Sequence, residues 1–154
     1  MAFAPDSQSL VSASEDRTII LWNAATGEAI RTLRGLQVGV TSVAFDRTGK
    51  RLVTGNKDAT VTVWNLETGE VALTLRGHSD IVWDAVFSRD SQRIASASRD
   101  GVVKLWDAAS GHEALTLRSQ LGGFHSVAFS PDGTRLLSGT DGMIIWEALP
   151  AAGR

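Results

Sequence analysis

The sequence repeats itself with a period of 42 residues, and no other feature narrows the possible folds as far. Phe3, Phe45, Phe87 and Phe129 stand 42 apart; Trp22, Trp64 and Trp106 keep that spacing, and Trp146 follows after 40. Gly27, Gly69 and Gly111 share the register. So do Ser12, Thr54, Ser96 and Ser138, the turn acids Asp16, Asp58 and Asp100, and the triplet Thr-Leu-Arg at 32–34, 74–76 and 116–118. A repeat of this length is one supersecondary unit that cannot bury its apolar faces alone, so it must stack on copies of itself.

Within one period, short apolar segments alternate with turn residues, and no helix-length run shows a 3.6-residue periodicity; the chain is predicted to be all-β. In the third copy the predicted strands are 81–87, 93–96, 102–106 and 114–117, separated by Arg89-Asp90-Ser91, Asp100-Gly101 and Ala109-Ser110-Gly111. Gly and Asp in these breaks supply the positive φ and the local side-chain hydrogen bonds that tight hairpins require. Four antiparallel strands per repeat make one blade of a β-propeller.

These residues resemble the WD-repeat β-propeller family over essentially the whole chain. Gly77-His78 opens the third repeat, Ser130-Pro131-Asp132-Gly133 forms the first hairpin turn of the fourth, and Leu105-Trp106-Asp107 carries the Trp-Asp pair that names the family. The other copies read Trp22-Asn23, Trp64-Asn65 and Trp146-Glu147. The expected organisation is a single partial propeller over 1–154. Unit 1–34 holds the end of an inner strand and three further strands, 35–76 and 77–118 are complete, and 119–154 lacks an outer strand. The family closes its ring with about four to eight blades, and these units amount to about three and two-thirds. The resemblance implies that a last blade ending after its third strand receives its outer strand from the N-terminal segment. Met1 occupies the repeat position of Val43 and Val127, in the middle of an inner strand, so further blades are expected upstream. The competing expectation is closure by self-assembly.

Composition removes several function classes. Fifteen Lys and Arg against 17 Asp and Glu leave a net charge of −2, no electrostatic footprint for nucleic acid or an anionic membrane. Arg34, Arg76 and Arg118 recur at one repeat position, but three arginines on three blades are better read as solvated edge protection. The start lacks the basic and apolar regions of a signal peptide, and a cytoplasmic location is expected. The absence of cysteine excludes disulfides, thiolate metal sites and cysteine nucleophiles. His78, His112 and His125 have no metal-ligand spacing, and no phosphate-cradling Gly-x-x-x-x-Gly-Lys occurs, so no cofactor and no metal are expected.

His78, Ser96 and Asp100 offer the residue types of a nucleophilic triad. The resemblance implies another role: with Trp106 they form a buried hydrogen-bond relay that locks the blade. The relay is uneven, since Leu36 replaces the histidine in the second repeat, beside Thr54, Asp58 and Trp64, and Gln120 replaces it in the fourth, beside Ser138, Asp141 and Trp146. The third blade is therefore expected to be the most stable.

Function is then expected to lie in surfaces, and the protein is read as no enzyme. The resemblance implies a protein or peptide partner on the face formed by the loops before the inner strands and the turns between second and third strands. Carried over by position, this selects Glu15, Lys57 and Arg99, each preceding a turn Asp, and Thr41, Trp83 and His125, each four before the repeat Phe. Trp83 is the only tryptophan outside the repeat-defining position, and it is predicted at the rim. The expected function is a protein-interaction scaffold forming the C-terminal part of a larger signalling or regulatory protein. The alternative is a self-assembling propeller that binds a small ligand or glycan in its central channel.

Overall fold

The computed structural model describes residues 1–120, 122–140 and 142–147, and among them every regular element is a strand. The first sheet contains β1 (Ala2–Phe3), β2 (Ser9–Ala13), β3 (Ile19–Asn23) and β4 (Ala29–Leu33). The second contains β5 (Val40–Phe45), β6 (Arg51–Asn56), β7 (Val61–Asn65) and β8 (Glu70–Leu75). In the third are β9 (Val82–Phe87), β10 (Arg93–Ser98), β11 (Val102–Asp107) and β12 (Glu113–Arg118), and in the fourth β13 (Ser126–Phe129), β14 (Arg135–Gly139) and β15 (Met143–Glu147). Each sheet runs in chain order with antiparallel neighbours, so the all-β, incomplete-propeller expectation holds. The strands of the third repeat fall within one residue of their predicted ends, except that β10 runs two residues further, to Ser98 opposite Val82.

The repeat-position glycines have a backbone reason. Gly27, Gly69 and Gly111 sit in the turns before the fourth strands with φ of +73°, +79° and +76°, the left-handed region that residues with a Cβ rarely adopt. The residue after each Trp caps the same turn. Asn23 Oδ1 accepts the Ala25 and Thr26 amides, Asn65 Oδ1 those of Glu67 and Thr68, and Asp107 Oδ1 those of Ala109 and Ser110. The turn needs a short side chain with an oxygen acceptor, and asparagine serves as well as aspartate.

Three cores lie between successive sheets. Val11, Ile19 and Leu33 meet Val43, Leu52 and Trp64 across the first gap. Val53, Val61 and Val63 meet Ile94 and Trp106 across the second, and Ala95, Ala97 and Val103 meet Phe124, Val127 and Leu136 across the third. Trp64, Trp106 and Trp146 therefore each face the preceding sheet. The two outermost faces remain uncovered: Phe3 is 69% exposed on the first sheet, and Leu137, Met143 and Ile145 are exposed on the fourth.

The shorter last hairpin keeps its register. Leu136 pairs with Trp146 as Ile94 pairs with Trp106, because removing two residues preserves the alternation of a strand. Asp141, the turn acid expected here, lies outside the described residues.

Candidate functional site

Two arrangements bear on function, a buried relay in the third blade and an exposed face above the inner strands.

The relay begins at Trp106, whose Nε1–H donates to Ser96 Oγ at 2.8 Å. Ser96 Oγ is 2.7 Å from His78 Nε2, and His78 Nδ1 is 2.8 Å from Asp100 Oδ2. Asp100 also accepts the amides of Ser79 (2.9 Å) and Val102 (3.1 Å), tying the loop before β9 to the β10–β11 turn. Burial holds the His78 imidazole below its ordinary value, outweighing the upward pull of Asp100. The neutral ring then accepts a hydrogen bond from the Ser96 hydroxyl at Nε2 and donates one from Nδ1–H to Asp100. Ser96 is fully buried, so a substrate carbonyl has no route to its hydroxyl, and the three residue types of a triad are occupied in holding strands together. The first link recurs in the other blades: Trp22 donates to Ser12 (2.8 Å), Trp64 to Thr54 (3.4 Å) and Trp146 to Ser138 (2.8 Å). Asp58 bonds only to Thr60 within its own turn.

Of the six residues selected by position, Glu15, Lys57, Arg99 and His125 are exposed and Thr41 and Trp83 are half-buried. Trp83 lies at a β-bulge: Val82 pairs with Ser98 and Asp84 with Ala97, leaving Trp83 unpaired between them. Thr41 occupies the same bulge in β5 and donates its hydroxyl to the Val82 carbonyl at 2.5 Å, joining second sheet to third. A bulge re-aims the side chain it carries. Trp83 is half-buried, and its ring packs against that of His125, 5.9 Å between centroids at 43°; His125 is exposed, just before β13. Arg99 (62% exposed) reaches Asp80 (43%) at 3.7 Å, and Lys57 Nζ lies 2.8 Å from Glu15 Oε2, bridging second and first blades. Five of the six thus fall into three local pairs, Glu15 with Lys57, Arg99 with the additional Asp80, and Trp83 with His125, while Thr41 is bonded to the Val82 carbonyl.

Three features escaped sequence reading. Asp84 Oδ2 accepts the Val127 amide at 3.0 Å, bridging inner strands of the third and fourth sheets, and burial pushes its carboxyl up. Arg31 on an outer strand donates to the carbonyls of Leu66, Glu67 and Thr68 in the next blade. Arg47 and Arg89 line grooves on the opposite face. The last were visible as repeat positions, since they stand where the first and fourth copies have Pro5 and Pro131.

Among the described residues, no group of three His, Asp or Glu could hold a metal ion, and no helix is long and apolar enough to cross a membrane. The family model described as WD domain, G-beta repeat matches residues 1–23, 27–65, 69–107 and 111–146. A comparison with curated proteins gives no match.

Proposed function

The chain belongs to the WD-repeat family, matched from residue 1 to residue 146, and from that premise we propose that it is a non-catalytic scaffold binding a protein partner on the face that carries Trp83. WD repeats generally mediate protein–protein interaction. The observation that carries the reading is the tilted ring contact of Trp83 with His125 at a bulge, with Arg99 exposed in the turn after β10. A rigid aromatic body beside a guanidinium is the composition enriched in binding hot spots. The burial of Ser96 and His78 supports the non-catalytic part. In this reading the units 1–34, 35–76, 77–118 and 119–154 form part of a larger, cytoplasmic regulatory propeller.

The test is affinity capture from cells of the source organism, followed by reconstitution with each captured protein in purified form. Direct binding that weakens by about tenfold or more in Trp83→Ala and in Arg99→Ala supports the reading. Binding indifferent to both changes, and to His125→Ala, overturns it.

A second reading rests on the two uncovered faces. The first sheet presents Phe3 and Trp22 at the repeat positions of Phe45 and Trp64, which pack on the preceding sheet. The fourth presents Leu137 and Ile145 at the positions of Val53 and Val63, which pack on the following one. These are the two halves of the repeat interface, and two copies meeting head to tail would cover both. Light scattering across a dilution series distinguishes this reading: a discrete oligomer persisting on dilution supports closure by assembly, with a channel ligand then to be sought, and a monomer excludes it.

A further inference from the structure

Two grooves of this molecule lie away from the Trp83 face. Trp83 stands near the start of β9 and Phe87 at its end, so the phenylalanines mark the opposite face of the blades. There each copy presents a Phe followed two residues later by Pro or Arg: Phe3 and Pro5, Phe45 and Arg47, Phe87 and Arg89, Phe129 and Pro131. Adjoining grooves of ≈ 320 and 270 Å³ run across this ladder; Phe45 and Phe87 line the first, Phe129 the second, and Arg47 and Arg89 border both.

The guanidiniums here differ in how they are used. Arg51 is committed to the fold, with Nε 3.2 Å from the buried Asp46, bonds to the carbonyls of Ser91 (2.9 Å) and Ala108 (3.2 Å), and its charge 5.0 Å above the Phe87 ring. That clamp fixes the Phe87 ring as a groove wall. Arg47 and Arg89, by contrast, have no ion-pair partner among the described residues, and Arg89 gives a single bond to the Pro131 carbonyl at 3.1 Å. Two guanidiniums without an ion pair among the described residues thus border the first groove, whose walls are Phe3, Phe45 and Phe87 and whose one carboxylate, Asp46, is paired with Arg51, while the flanking blades carry proline at that position.

We propose that this face is a second docking site, for an acidic segment of a protein partner in which an aromatic side chain, flanked by carboxylates, enters between Phe45 and Phe87 while the carboxylates meet Arg47 and Arg89. Bidentate guanidinium–carboxylate pairing suits this geometry, and a phenyl edge suits the groove walls. A continuous polyanion fits poorly. Asp90 and Asp132 border the second groove, both held ionised by the Ser88 and Ser130 hydroxyls and their turn amides, with Asp132 pulled to about 2. They repel any anion running on along the second groove, so the partner's carboxylates are confined to the Arg47 and Arg89 ends of the first, a restriction that a short peptide meets and a continuous phosphate backbone does not. The site stands independently of the proposed Trp83 face.

The probe is a fluorescein-labelled peptide, Gly-Asp-Glu-Asp-Phe-Glu-Asp-Gly, titrated with the full chain and followed by anisotropy. Saturable binding is expected, weakening as NaCl rises from about 0.05 to about 0.3 M. It should weaken by about tenfold or more in the Arg47→Glu/Arg89→Glu double variant and when the peptide Phe becomes Gly. Trp83→Ala should leave it unchanged, which separates this site from the loop face. Arg47→Gln/Arg89→Gln replaces the charge-reversed variant if the latter loses its near-UV circular dichroism. No saturation, equal binding by the arginine variants, or loss on Trp83→Ala overturns the proposal. So does tighter, arginine-dependent binding of labelled oligothymidylate, which would assign the face to nucleic acid.

Discussion

His78 Nδ1 lies 2.8 Å from Asp100 Oδ2, and that bond fastens the loop entering the third blade to the hairpin between its second and third strands. Asp100 serves three donors on two segments, whereas Asp58 serves only Thr60 in its own turn. Asp100→Ala leaves buried donors unpaired and should cost about 1–3 kcal/mol. Asp58→Ala should cost under about 1 kcal/mol, since its partners stay solvated. Urea unfolding followed by tryptophan fluorescence compares the two, and equal midpoint shifts would contradict this account of the relay.

The relay also makes stability pH-dependent. Burial lowers the His78 imidazole in the folded state below its ordinary 6.5, against the pull of Asp100 and Glu113 and with that of Lys104. A group with a depressed folded value binds its proton more readily when unfolded. Its contribution is therefore complete above about 6.5 and is lost as pH falls through the folded value. Asp100 adds nothing to this window: burial would raise it, but the Ser79 amide and the His78 hydrogen bond hold it below the usual carboxylate range. Melting temperatures between pH 7 and 5 should fall for the wild type and fall less for His78→Leu, which imitates Leu36 of the second repeat. Parallel curves would remove His78 as the cause.

Asp84 shows the opposite sign. Burial raises its folded value above 3.8, outweighing the Val127 and Ala85 amides and the Ser42 hydroxyl, so the carboxylate form destabilises the fold. Stability from this group is present at low pH and lost as pH rises through the folded value. Asp84→Asn keeps an acceptor for Val127 without the charge, and at pH 7 it should be more stable than wild type by less than about 1 kcal/mol. The difference should vanish as pH falls below the unfolded value of 3.8. A less stable Asn variant at pH 7 would show that the charge itself is required.

Position in the stack should decide what each repeat tryptophan contributes. Trp64 is 1% exposed between first and second sheets, while Trp22 holds the same repeat position on the uncovered face of the first. Trp64→Ala should cost about 3–5 kcal/mol. Trp22→Ala should cost about half as much or less, because the cavity opens to solvent on one side. Chemical denaturation of both variants checks this, and equal losses would mean that the first sheet's outer face is covered in solution.

What could be read from residues alone was what repeats. The period placed all four sheets, and the pairing of each Trp with a Ser or Thr ten residues earlier, or eight in the last copy, follows from hairpin register. The relay was legible for the same reason, since His78, Ser96 and Asp100 belong to one blade. Positions that differ between copies, such as Thr41, Trp83 and His125, could be marked as variable, yet their environments could not be foreseen.

Those environments were decided by the stacking of one blade on the next. Trp83 and His125 are 42 residues apart, Asp84 and Val127 are 43 apart, and Arg51 reaches Ala108 across 57. Such contacts depend on sheet twist, on the spacing between sheets and on single bulged residues, none of which leaves a periodic trace. Short-range hydrogen-bond register is local and repeats with the sequence. The fit of one blade against the next is not, and it determined which tryptophan meets a second ring, which carboxylate is buried and which arginines stay without an ion pair among the described residues.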